Sequence, residues 1–218
     1  MKYGLIGASG KMGQEIKTVF SENGHECVFT LDLGGLRHDS TPEVLIDFSQ
    51  PEVFDTVLHW QEKFNTPLVI GTTGITGDQI ARLKNIASKN VVVQSFSYSK
   101  GLHVMLKCVD IISQHLEGWD VEITETHHRS KKDKPSGTAL MLREKLGGNV
   151  PISSLRLGNV PGDHTVQFGG LGEVISLKHS VTSRRTYAEG VLIAIKFALS
   201  AAPGFYSFND VLFNESNG

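Results

Sequence analysis

Apolar residues in the first half of the chain fall into short continuous runs, separated by stretches with helical spacing. Lys2–Gly7 is the first such run and reads as a buried strand. Lys11–Asn23 follows, with Met12, Ile16, Val19 and Phe20 recurring at helical intervals. Further strands are predicted at Glu26–Asp32, Glu43–Ser49, Pro67–Thr72 and Asn90–Phe96, with helices at Pro51–Phe64 and Gly77–Lys89. Strands that are apolar throughout and alternate with helices belong to a parallel sheet covered on both faces.

The pattern changes near residues 96–102. His103–Leu116 is a long helix with Val104, Leu106, Val109, Ile112 and Leu116 in its apolar set. Asp120–Thr126 alternates as a half-buried strand, with Val121 and Ile123 expected inward and Glu122, Thr124 and Glu125 outward. Ser136–Leu146 reads as a helix. His164–Phe168 and Glu173–Ser183 read as antiparallel strands around the Gly169-Gly170-Leu171-Gly172 turn. Gly190–Ala201 is apolar nearly all round, so it is expected to be a buried helix packed back on the first domain.

Composition narrows the partners. The 218 residues carry a formal net charge of −2, which gives no global attraction to nucleic acid or anionic membrane. No apolar run approaches the ~18–20 residues of a membrane span. Met1-Lys2 leads into a strand-like run, then glycines and Lys11, so no signal peptide is expected. Cys27 and Cys108 lie far apart in apolar segments and are expected to be buried free thiols. A cytoplasmic protein is expected.

Gly7-Ala8-Ser9-Gly10-Lys11-Met12-Gly13 follows a strand and opens a helix. Glycine there lets the backbone turn tightly and approach a pyrophosphate, while the helix start offers free N–H groups. The spacing is G-x-x-G-x-x-G, with Ser9 where the usual fingerprint has its middle glycine; Ser9 fits if its φ stays negative. Asp32 ends the second strand, the usual place for a carboxylate that binds ribose hydroxyls. Gly71-Thr72-Thr73-Gly74 ends another strand, where ligands of open α/β sheets bind, although an ordinary turn reads equally well. Lys11 would favour the 2′-phosphate of NADPH, whereas Asp32 would repel it and favour NADH; both cofactors stay open.

His127 and His128 stand at a strand end, so their side chains are expected on opposite faces. Such a pair is a poor chelate, and no metal is expected. Either histidine can give up a proton near neutral pH. Lys131 supplies a nearby cation, while Lys132 and Lys134 read as a solvated basic loop. Pro135-Ser136-Gly137-Thr138-Ala139 then opens a helix, with Ser136 as its cap and the Gly137 and Thr138 amides as a carboxylate cradle.

Glu125-Thr-His127-His128-Arg129, Lys131, Asp133 and Pro135-Ser-Gly-Thr-Ala together resemble the signature of the 4-hydroxy-tetrahydrodipicolinate reductase family. The Gly7–Gly13 turn, Ile46-Asp47-Phe48-Ser49, Gly71-Thr72-Thr73-Gly74 and Thr182-Ser183-Arg184 match in the same order. The resemblance implies an α/β fold with a Rossmann-like parallel-sheet nucleotide domain (1–97, joined by 185–218). It also implies a smaller α+β substrate and oligomerisation domain (98–184) that builds a homotetramer. It implies NADPH or NADH as reductant and a cyclic imine dicarboxylate as substrate. By position, His127 would donate the proton with Lys131 as catalytic partner. His128, Ser136, Gly137, Thr138 and Arg184 would bind substrate. The Gly71–Thr73 backbone, Ser97 and Ser99 would lie on the nicotinamide side. Here Ser97-Tyr98-Ser99-Lys100-Gly101 replaces the family's usual Asn-Phe-Ser-x-Gly. Two other readings compete: a different NAD(P)H-dependent imine or amino-acid dehydrogenase, and a nucleotide-binding sensor without turnover.

Overall fold

The computed structural model describes residues 1–213. The expected 185–218 segment therefore runs beyond them at residues 214–218. The chain divides into two compact units, Met1–Tyr98 with Arg184 onward, and Ser99–Ser183. The first contains β1 (Lys2–Ile6), α1 (Lys11–Glu22), β2 (Glu26–Asp32), β3 (Gly35–His38), β4 (Val44–Asp47), α2 (Phe54–Phe64), β5 (Leu68–Ile70), α3 (Gly77–Ala87) and β6 (Val91–Gln94). It is completed by α6 (Arg185–Ala198), β11 (Gly204–Tyr206) and α7 (Phe208–Phe213). The second contains α4 (Lys100–His115), β7 (Asp120–His127), α5 (Gly137–Lys145), β8 (Ile152–Arg156), β9 (Asp163–Gly169) and β10 (Val174–Ser180).

The first unit is a Rossmann-like sheet in the order β11-β6-β5-β4-β1-β2-β3. The five strands expected from the apolar runs pair in parallel. Two more widen the sheet: β3 pairs antiparallel with β2, and β11 pairs parallel with β6. Neither has a legible signature. The four residues of β3 are all exposed, and β11 is three residues long. Tyr3, Leu5, Ile46 and Val69 face one side, where they pack with Ile16, Val19 and Phe20 of α1 and Val191 and Ile195 of α6. Ile6, Leu45, Leu68 and Val92 face the other, against residues of α2 and α3. Alternation thus buries both faces, as continuous apolar strands require. Helix α6 starts five residues earlier than expected, because its polar first turn hides the helical period.

In the order above, β1 lies between β4 and β2, where the connections change direction; ligands of such sheets bind at that switch point. The ends of β1, β4 and β5 are laced together there. Phe48 N–H donates to Ile6 O at 3.1 Å, and Gly71 N–H to Asp47 O at 2.9 Å.

The second unit is a four-stranded sheet in the order β10-β9-β7-β8. Helices α4 and α5 supply Met105, Val109, Ala139 and Leu142 to its core, against Ile123, Val166 and Phe168. Strand β8 was not expected, since Ile-Ser-Ser-Leu-Arg carries a faint period; it pairs parallel with β7. Helix α4 begins at Lys100, three residues before the expected start, because the Ser99 hydroxyl caps it by accepting from Leu102 N–H at 3.2 Å. Cys27 and Cys108 are free, but half-buried rather than buried.

Candidate active site

The glycine turn in the first unit is shaped for close approach. Gly7 has φ +82°, and a Cβ there would lie 2.4 Å from Phe48 O. A Cβ on Gly13 would lie 2.2 Å from Gly7 O. Asn65 is the one non-glycine residue with positive φ among the described residues, so Ser9 meets the turn's requirement. Helix α1 starts after Gly10 with no side-chain cap and no acid in its first turn. Its leading amides and partial positive charge therefore suit a dinucleotide pyrophosphate beside Lys11 and Met12. Asp32 ends β2, with Oδ1 accepting from Gly34 N–H at 2.7 Å.

Beyond β4 and β5 a buried polar node sets the neighbouring loop. Asp47 Oδ2 accepts from Thr72 Oγ1 at 2.7 Å, and Thr72 Oγ1 accepts from Ser49 N–H at 3.0 Å. Burial raises the Asp47 pKa, opposed by the Ser49 and Thr72 hydroxyls that hydrogen-bond its carboxyl. The Thr72 side chain is thus turned inward, so Gly71–Thr73 can present only backbone and the exposed Thr73 to a ligand. Ser97 is also buried, with its carbonyl accepting from Ser95 Oγ at 2.7 Å. In the second unit the buried Ser99 hydroxyl lies 3.1 Å from His179 Nε2 while it caps α4.

The histidine segment ends β7 in the second unit. His127 is buried, and His128 points the other way, with Nδ1 2.8 Å from Ser130 Oγ. Glu125 corrects the sequence expectation. It is 0% exposed rather than outward, because a period of two puts residues 121, 123, 125 and 127 on one face. Its carboxylate is hydrogen-bonded to His127 Nδ1. The other oxygen accepts from Arg156 Nη2 at 2.9 Å and from Ser136 N–H at 3.3 Å. A buried carboxylate needs such partners to stay charged. Across the sheet, His164 lies opposite Glu125, and its ring stands edge-on to His127 at 5.1 Å. Its Nε2 is 3.0 Å from Ser136 Oγ. Ser136 caps α5 as expected, accepting from Ala139 N–H at 3.3 Å.

The charges oppose one another. Burial works against ionisation of Glu125, but hydrogen bonds, led by that from Arg156, hold its pKa down to about 2. Burial lowers the His127 pKa; Glu125 works against this, and Lys131 and Arg156 add to it. Burial and the nearby His127 push His164 down to about 4. Lys131 is partly buried and bridges Asp133 at 2.8 Å, while Lys132 and Lys134 are exposed. The site is therefore a carboxylate-held imidazole rimmed by cations, able to give a proton to a bound anion. Glu125, His127 and His164 also offer ligand atoms within 4.8 Å of one another. The Arg156 guanidinium already neutralises that carboxylate, so the set fits an acid better than a metal cage.

Gly137 and Thr138 form the first turn of α5, next to this cluster. Arg184 belongs to the first unit, where it is exposed at the start of α6. Sequence reasoning missed Arg156 and His164. Both sit on strands 31 and 39 residues from Glu125, and only sheet register reveals them.

Two family models match the chain: "Dihydrodipicolinate reductase, N-terminus" over residues 32–98, and "Dihydrodipicolinate reductase, C-terminus" over residues 101–212. A 4-hydroxy-tetrahydrodipicolinate reductase of Thermosipho africanus (strain TCF52B) is 44% identical over 97% of this chain and 98% of its own. One of Stenotrophomonas maltophilia (strain K279a) is 38% identical over 95% and 96%. A dipicolinate-bound dihydrodipicolinate reductase from Paenisporosarcina sp. TG-14 shares the fold, with a TM-score of 0.81, 24% identity and coverage of 95% and 97%.

Proposed function

This chain belongs to the dihydrodipicolinate reductase family, and we propose that His127 is the proton donor of its reaction. That reaction is the NAD(P)H-dependent reduction of 4-hydroxy-tetrahydrodipicolinate to tetrahydrodipicolinate, in the diaminopimelate route to lysine. The nicotinamide dinucleotide supplies the hydride when bound. The Gly7–Gly13 turn and the α1 amides take its pyrophosphate, Asp32 its ribose, and the Gly71–Thr73 backbone its nicotinamide. The reductant is NADPH or NADH, with Lys11 and Asp32 weighing in opposite directions. In the second unit, His128 and the Gly137 and Thr138 amides hold the substrate carboxylates, in a turn that Ser136 shapes as its cap. His127 gives up the proton that balances the hydride, and Lys131 keeps the bound dianion in place and shares in the proton transfer.

The observation that carries this reading is the buried Glu125–His127 pair beside the cation Lys131 and the α5 N-terminus. A sensor without turnover needs no such acid. The test is oxidation of NADH and of NADPH with substrate generated in situ by the preceding synthase. Turnover with either is expected; dinucleotide binding without turnover would move the assignment to another imine or to a sensor.

We also place the enzyme in the cytoplasm as a homotetramer. Free cysteines suit a reducing compartment. No helix among the described residues is long and apolar enough to cross a membrane. Leu155 and Val174 are exposed on the second unit's sheet, which suits association. Sedimentation equilibrium tests the tetramer.

A further inference from the structure

We infer that Glu125 and Gly162 are positioning residues for His127: Glu125 grips Nδ1, and the missing side chain at Gly162 leaves the Nε2 edge uncovered. The inference rests on the reading of His127 as proton donor. In the antiparallel pairing of β7 with β9, Glu125 lies opposite His164 and Thr126 opposite Asp163. The next step of that register brings His127 opposite Gly162. Gly162 is buried, and its carbonyl accepts from Val181 N–H at 3.0 Å, which fixes its path. A Cβ on Gly162 would lie 3.1 Å from His127 Nε2 and 3.3 Å from Cδ2.

The imidazole has little room to yield to such a methyl. Nδ1 is bound to Glu125, which is bound in turn to Arg156 and the Ser136 amide. The His164 ring stands against its face or edge at 5.1 Å. A proton donor must bring its N–H within hydrogen-bond reach of the acceptor. With Nδ1 engaged by the carboxylate, Nε2 is the atom left to do so, and it faces Gly162, which has no side chain to cover it.

Glu125 also acts by charge. Its carboxylate favours the protonated imidazole, against Arg156 on β8, Lys131 in the following loop and His164 on β9; Asp133 offsets Lys131. Glu125→Gln keeps an acceptor for Nδ1–H and removes the charge. It should lower kcat by about 10²-fold near neutral pH and move the alkaline limb of the pH profile to lower pH, with dinucleotide affinity unchanged. Gly162→Ala should lower kcat at least about tenfold at every pH, again with dinucleotide affinity unchanged. Nitrogen NMR of the wild-type protein at high pH should show neutral His127 protonated at Nδ1, and this needs no variant to fold.

Wild-type kcat and pH profile in the folded variants would overturn the inference, as would an Nε2–H tautomer in the wild type. A loss of kcat in Glu125→Gln without displacement of the limb would overturn the charge role. Failure of the underlying reading is separate, since His127→Ala would then turn over at the wild-type rate.

Discussion

Glu125 and His127 stand two residues apart on β7, point to the same face and are hydrogen-bonded, carboxylate to Nδ1. A strand is the simplest way to achieve this, because its side chains repeat every second residue. The carboxylate is buried at no exposure yet stays ionised, since Arg156 and the Ser136 amide occupy its second oxygen. His128, one residue on, is delivered to the other side.

Removing the acid is the first consequence to measure. His127→Ala should lower kcat by roughly 10²–10⁴-fold, the usual contribution of a general acid. Steady-state kinetics decide it, and an unchanged kcat would remove His127 from the role.

The pH profile has a definite sign. The donor must be protonated, and the His127 pKa lies below its ordinary value because of burial, with Lys131 and Arg156 adding to the effect. In the free enzyme, kcat/KM should therefore fall as pH rises through a value below the ~6.5 of an ordinary histidine. A dianionic substrate favours the imidazolium, so the limb in kcat should sit at higher pH. Limbs that coincide would show that the substrate's charge does not reach His127.

Lys131→Ala should lower turnover. It also removes a cation that depresses His127, so the alkaline limb of kcat/KM should move upward. A lysine that is merely solvated would change neither quantity.

Asp32→Ala should weaken NADH binding more than NADPH binding. The carboxylate at the end of β2 can accept from ribose hydroxyls but repels a 2′-phosphate. Fluorescence titration of both reduced cofactors measures the difference, and equal losses would remove Asp32 from ribose recognition.

Gly190→Ala tests the packing of α6. The added Cβ would lie 1.8 Å from Tyr98 O. Overpacking of this kind costs about 1–3 kcal/mol or more, which urea unfolding should register as a lower midpoint. An unchanged midpoint would mean that α6 can shift away from Tyr98.

Much of this was legible in local pattern. Ile16, Val19 and Phe20 announce the buried face of α1, and Val91, Val92 and Val93 announce a strand covered on both sides. Gly7 and Gly13 mark a turn that tolerates no side chain, and Ser136 marks a helix cap. The strand at Gly204–Tyr206 escaped notice because three residues are too short for a period. Its partner, Val91–Val93, lies over a hundred residues earlier.

The sequence by itself determined the alternation of strands and helices, the glycine turn, and the pairing of a histidine with a cation near a helix start. These depend on period, turn chemistry and capping, which act over a few residues. The tertiary structure alone decided what surrounds His127. Arg156 reaches Glu125 through the parallel register of β7 with β8, and His164 and Gly162 reach it through the antiparallel register with β9. Register is set by how whole strands bury their apolar faces, so no window of sequence around His127 contains it.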